Sequence, residues 1–188
     1  MDVKLFAVAA VAILLTSCAS VPDKIDDSFD LFGREHLYEK KAWSFSGRMS
    51  ITGENNTVTA NIDWKHRLKE ETINLSGSFG LGRTRLILTE NSVEINLNGK
   101  RVRHVGNADE ILSTELGIAV PVSALKYWVL GITDPSADYE EVARGFVQHG
   151  WRVTYLQMLT NGDYELPRKI RVEQGRAKLK LIVSSWKI

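Results

Sequence analysis

The sequence predicts a mainly β protein with helices (α+β): a curled antiparallel sheet, an open half-barrel of about nine to eleven strands, with about three helices in or over its concave face. Three observations predict it. From Trp43 onward, apolar and polar residues alternate with a period of two. Asn-Gly and related pairs interrupt that alternation where hairpins would turn. Between two blocks of such strands lies a stretch with helical spacing and capping residues at its ends. A single sheet of so many strands has to curl or close, and helices with one apolar stripe need its greasy face to lie on.

Residues 1–17 read as a signal peptide. An apolar run from Leu5 to Leu15 follows Lys4 and is too short to span a bilayer, which takes about 20 apolar residues. It ends in Leu15-Thr16-Ser17-Cys18, which resembles the lipobox of bacterial lipoproteins. That resemblance implies cleavage before Cys18 and acylation of its thiol and its new amine. Cys18 is the chain's one cysteine, so it has no disulfide partner within it. In such lipoproteins an Asp after the Cys favours the inner membrane; Ala19 implies sorting to the outer membrane, with the protein on the periplasmic face. Residues 18–27 are mostly small, polar or Pro and read as the lipidated N-terminus and tether. Residues 28–188 are one domain's worth of chain.

Within that domain Ser28 to Lys41 is expected to be helical, with Phe29, Phe32 and Leu37 near helical spacing. The strands then begin. Trp43, Phe45, Met49 and Ile51 share a face, as do Val58, Ala60, Ile62 and Trp64. Ile73 and Leu75, Leu86 and Leu88, then Val93, Ile95 and Leu97 continue the scheme, and Asn98-Gly99 turns it. Asn107 with Glu110 forms a capping box for a helix bearing Ile111, Leu112 and Leu116, which Gly117 can end in a left-handed conformation. Pro121 opens a second helix bearing Leu125, Trp128 and Val129. Strands resume at Phe146-Val147. Trp151, Val153 and Tyr155 alternate, then Ile170 and Val172, then Leu179, Leu181 and Val183, with turns at Asn161-Gly162 and Gln174-Gly175.

Composition and motifs narrow the function. Lys and Arg number 24 against 23 Asp and Glu, so no global field calls for nucleic acid. There is no GxxxxGK[ST] loop, HExxH, CxxC or GxSxG, and His36, His66, His104 and His149 lack metal-ligand spacing. The expectation is a protein that is not an enzyme, with no catalytic residue, metal or cofactor. One loop is unusual. Between two alternating strands, Ser76-Gly77-Ser78-Phe79-Gly80-Leu81-Gly82-Arg83 puts two large apolar residues where a turn is ordinarily polar. Either Phe79 and Leu81 tuck under the sheet, or they dip into lipid, with Arg83 and Arg85 near phosphate head groups.

Four segments carry a family resemblance: Phe79-Gly80-Leu81-Gly82, Pro121 to Gly131 (PVSALKYWVLG), Gly150 to Tyr155 (GWRVTY) and Lys178 to Trp186 (KLKLIVSSW). In order and spacing they resemble the LolB family, the outer-membrane lipoprotein receptors of Gram-negative bacteria. The resemblance runs from about Trp43 to the C-terminus and implies a half-barrel with helices in its hollow. It implies acceptance of acylated lipoprotein cargo from the periplasmic carrier LolA and its insertion among outer-membrane phospholipids, by a monomer. It also maps the family's membrane-inserting loop leucine onto Leu81, with Phe79 beside it.

Acyl chains cost about 0.8 kcal/mol per methylene to expose to water, so passage through the periplasm needs an apolar container at each step. Without a nucleotide motif, movement must run downhill in affinity from carrier to receptor to bilayer. Trp64, Leu75, Leu88, Leu125, Trp128, Trp151 and Tyr155 are the expected lining or helix-contact residues of such a cavity, with plain core packing as the alternative for each. A non-catalytic carrier of another lipid, or an anchored structural or assembly lipoprotein, are the competing functions.

Overall fold

The computed structural model describes residues 29–53, 57–77, 82–117 and 119–188. The leader, Cys18, Ala19, the tether, Phe79 and Leu81 lie outside the described residues. Eleven strands form one antiparallel sheet: β1 (Ala42–Thr52), β2 (Thr57–Arg67), β3 (Glu70–Ser76), β4 (Arg83–Thr89), β5 (Ser92–Leu97), β6 (Lys100–Val105), β7 (Tyr139–Val142), β8 (Gly145–Gln148), β9 (Trp151–Asn161), β10 (Tyr164–Gln174) and β11 (Ala177–Lys187). Helices α1 (Ala108–Leu116) and α2 (Val122–Trp128) sit between β6 and β7.

The strand order is β6-β5-β4-β3-β2-β1-β11-β10-β9-β8-β7. Two hairpin meanders are joined where β1 pairs with β11, so β6 and β7 are opposite edges of one sheet. The chain leaves at one edge and re-enters at the other, which obliges the segment between them to cross the sheet. It crosses on the apolar side. Val122, Ala124, Leu125 and Trp128 of α2 belong to the same buried cluster as the inward residues of β1–β5 and β8–β11.

The inward phase follows the alternation. In β2, Ala60, Ile62 and Trp64 are buried between exposed Asn61, Asp63 and Lys65. In β11, Leu179, Leu181 and Val183 are buried beside exposed Lys180 and Ile182. Trp43, Phe45, Trp64 and Trp186 meet ring to ring with centroids 5.0–6.2 Å apart, an aromatic cluster at the β1–β11 seam. Along the same seam the register shifts at Ser46/Gly47, and a Cβ on Gly47 would stand 2.3 Å from the Ile182 carbonyl oxygen. Only glycine lets the two backbones come this close. At the β5–β6 turn Asn98 and Gly99 both have positive φ, 52° and 92°, as a type I′ hairpin needs.

The helix expected over Ser28 to Lys41 is a correction. Among the described residues of that stretch only Glu35–Leu37 is helical, as a 3-10 helix flanked by turns. Asp30 Oδ1 accepts the Phe32 N–H, Gly33 takes φ 78°, and Phe32 is 87% exposed. What holds the segment is Arg34. Its guanidinium donates to the carbonyls of Gly131, Leu130 and Glu165 at 2.8–2.9 Å, lashing the chain across the turn after α2. Burial pulls its pKa below the ordinary arginine value, opposed by Tyr155 and Glu165. The two helices after β6 match expectation. The Asn107 side chain accepts the Asp109 and Glu110 N–H groups, and Gly117 closes α1 at φ 65°.

A polar knot fixes the far end of α2. Trp128 Nε1–H and the Asp134 N–H both donate to Gln148 Oε1, at 2.9 and 2.8 Å. The Gln148 amide in turn donates to the Asp134 and Ala137 carbonyls at 2.8 Å each. Asp134 Oδ1 accepts from the Ser136 N–H and hydroxyl, and Oδ2 lies 2.9 Å from His149 Nε2. Burial pushes the Asp134 carboxyl up, but the Ser136 N–H, His149 and the Ser136 hydroxyl together bring it below the ordinary 3.8. A depressed carboxylate stabilises the fold above that value and loses its contribution as pH falls through the lower folded one. Asp134→Asn is therefore expected to cost about 2 kcal/mol at neutral pH, a figure typical of hydrogen bonds to a charged group. In urea melts at a series of pH values, its deficit against the native chain should shrink below pH 3.8.

Candidate functional site

The space between sheet and helices has two parts, and strand register says where each lies. The turn after β2, with Leu68 and Lys69, and the turn after β4, with Glu90, mark one end of the sheet, the mouth. The turns after β1, β3, β5, β8 and β10 mark the other, the loop end.

At the mouth an open cavity of about 650 Å³ is floored by Trp43, Leu88 and Ile132 and rimmed by Lys40, Lys41, Lys69 and Lys126. That volume is in the range of small-molecule sites, roughly 300–1,000 Å³. Toward the loop end lies a second cavity of about 40 Å³ whose lining is wholly apolar: Met49, Ile62, Trp64, Leu75, Leu86 and Leu125 with six further aliphatic residues. This one holds a few waters at most and has no polar group to bind them. It is a dry seam between α2 and the sheet.

A short partition divides the two spaces. Val122, the first residue of α2, lines both. Beside it Trp64 donates its indole N–H to Glu71 Oε2 at 2.7 Å, and Glu71 Oε1 lies 2.6 Å from His66 Nδ1. Trp64 lines the inner cavity, whereas His66 and Glu71 line the outer one. Glu71, 7% exposed, holds the indole N–H of Trp64 at the boundary.

The predicted lining residues fall into two groups. Trp64, Leu75 and Leu125 line the inner cavity and Leu88 the outer. Trp128, Trp151 and Tyr155 line neither cavity. Trp128 is held by Gln148, and the Tyr155 hydroxyl donates to the Trp128 carbonyl at 2.8 Å, its pKa pushed up by burial. Trp151, 4% exposed, belongs to the buried cluster. Trp128 and Tyr155 secure the C-terminal end of α2, and Trp151 packs in the core with them. The N-terminal end is held more lightly, through Asp109, which accepts the Ser123 N–H at 3.1 Å and the Ser123 hydroxyl.

Glu71 and Arg34 escaped the sequence reading. Glu71 carried a signal: it sits in the inward phase of β3, two residues before Ile73 and four before Leu75, where an acid has to find partners. Arg34 carried none, since its three acceptors are backbone carbonyls far away in sequence.

Comparison with known proteins finds likeness in sequence and in fold. A family model described as outer membrane lipoprotein LolB matches residues 41–186. The outer-membrane lipoprotein LolB of Chromohalobacter salexigens is 30% identical over 185 residues, covering 93% of this chain and 86% of that protein. That of Azoarcus sp. is 29% identical, covering 98% and 95%. Among solved structures a DUF1329 family protein from Desulfovibrio piger shares the fold, with a TM-score of 0.56 at 10% identity over 82% of this chain and 88% of that one.

Proposed function

The chain belongs to the LolB family of outer-membrane lipoproteins, and from that premise we propose that it takes acylated lipoproteins from a LolA-type periplasmic carrier and passes them to the outer membrane. The observation that carries the reading is the two-part hollow: a wide mouth that admits a chain, and behind it a dry apolar seam sealed by one short helix.

In this reading Cys18 carries the lipid anchor and Ala19 directs the chain to the outer membrane. A cargo acyl chain enters at the mouth over Leu88 and Trp43 and meets the partition at Val122 and Trp64. Going further requires the seam to widen. Helix α2 is bolted at Trp128 and only latched at Ser123, so its N-terminal end is the end that lifts. Each methylene that enters gains about 0.8 kcal/mol over water, which offsets the parting of α2 from the sheet. Purely aliphatic and aromatic walls bind tails without reading cargo identity. Leu81, with Phe79, is the part that enters the bilayer at delivery.

The test is a transfer assay with the chain from Ala19 onward, which keeps every residue of the fold described above. Mixed with carrier-bound triacylated lipoprotein, it is expected to strip the cargo from the carrier, read by gel filtration. Cargo that stays with the carrier overturns the reading. Uptake of free phospholipid without uptake of lipoprotein would instead favour a carrier of another lipid.

A further inference from the structure

Strand register brings together cations that the sequence scatters. On the solvent face of the sheet, the face opposite the cavities, Arg48 of β1 stands across from Ile182 of β11, and Ile182 across from Lys169 of β10. One step nearer the loop end, Lys180 faces Arg171, and a further step brings Lys178 opposite Glu173. On the other side of β1, Asn61 and Ser76 lead from Arg48 across to Arg83. Among the described residues of β1–β4, β10 and β11, Glu173 is the one acid at this level, and Lys178 lies 3.2 Å from it; farther along the same row stand Arg152 of β9 and Glu140 of the edge strand β7. The remaining cations form no ion pair among the described residues, and the Arg171 Nε–H, shut off from solvent, meets no acceptor there. Ile182, 45% exposed, stands between Arg48 and Lys169. Toward the mouth the same face is mixed: Lys65, Arg67 and Lys187 share it with Asp63, Glu70 and Glu94.

We infer that this basic rim binds the anionic head groups of a phospholipid surface, and that it seats the sheet loop end down with the mouth facing away. Charge complementarity favours a lipid surface. A rim of unpaired guanidinium and ammonium groups around one exposed isoleucine suits a plane of phosphates with an apolar layer below. Reach allows it. Phe29 stacks on Tyr155 of β9 with centroids 3.9 Å apart, and the 11 residues from Cys18 to Phe29 span at most roughly 36–40 Å, enough to let the rim touch the membrane. This last point rests on the reading of Cys18 as the anchor; the rim itself does not. Seated this way, the mouth opens to the periplasm and the dry seam lies on the membrane side of the partition.

The experiment uses the chain from Ala19 onward, without lipid, so that a wrong assignment of the anchor leaves the result unaffected. Sedimentation with vesicles rich in phosphatidylglycerol is expected to show binding that falls steeply with salt, and vesicles of phosphatidylcholine alone should bind far less. Replacing the exposed Arg48, Arg83 and Lys180 together by Gln should weaken binding on the order of a hundred-fold, from about five-fold per cation. The matched variant Lys65→Gln, Arg67→Gln, Lys187→Gln removes equal charge at the mouth end and should bind within about two-fold of the native chain. Circular dichroism checks that both variants fold. Equal losses in both, or none in either, overturn the inference. So does a rim variant that keeps vesicle binding but no longer receives cargo from the carrier, since the rim would then be a protein-docking surface.

Discussion

A Leu81→Glu variant will accept acylated cargo from its carrier and then fail to release it into liposomes. The apolar residues at the β3–β4 turn have no reason to face water unless they meet lipid or fold under the sheet, and the two cases part company on this substitution. On insertion scales a leucine at depth is favourable by about 0.5 kcal/mol, and an acidic residue costs about 3. The inserted fraction of the loop should drop at least a hundred-fold, and delivery with it. Acceptance should persist, because the mouth and the inner seam lie among other residues. The assay separates the steps: cargo transfer from carrier to receptor by gel filtration, then from receptor to liposomes by flotation. Delivery at the native rate would remove Leu81 from the mechanism. Loss of both steps together would place it under the sheet as packing.

Much of this arrangement is legible in the sequence because it is local. Alternation in β2 and β11 commits Ile62, Trp64, Leu179 and Leu181 to the inner face without reference to the rest of the fold. Asn107 and Gly117 bound α1 through their own backbone geometry. What fails to show is whatever depends on distant partners. The apolar spacing of Phe29, Phe32 and Leu37 suits a helix, yet Gly33 and the pull of three remote carbonyls on Arg34 leave a single 3-10 turn. Trp128 and Tyr155 suit a cavity wall, a helix contact or plain core packing by residue type; it is their polar tips, tied to Gln148 and to the Trp128 carbonyl, that make them fasteners of α2. The basic rim is the extreme case. Its cations come from β1, β4, β10 and β11, and nothing in a chain with a net charge of +1 shows that register will line them up.

Opposite changes at Leu125 should move acyl binding in opposite directions. Leu125 lies on α2, 8% exposed, and faces the dry seam with Ile62, Ile73 and Leu181. Leu125→Ala removes most of that side chain and should cost about 2–5 kcal/mol of stability, since the cavity it leaves has few contacts to regain. It also gives a tail the room it otherwise gets only by lifting α2, so a fluorescent fatty acid should bind several-fold tighter to this less stable protein. Leu125→Trp overfills a space of about 40 Å³. It should cost about 1–3 kcal/mol and abolish deep binding, leaving only weak association at the mouth. Both variants would then lose stability while their affinities for the probe move in opposite directions, which simple damage to a core cannot produce. Thermal melts alongside titrations with the labelled fatty acid read both quantities. If the two variants destabilise as expected and bind the probe like the native chain, the seam is ordinary core, and the acyl chain lodges wholly in the mouth.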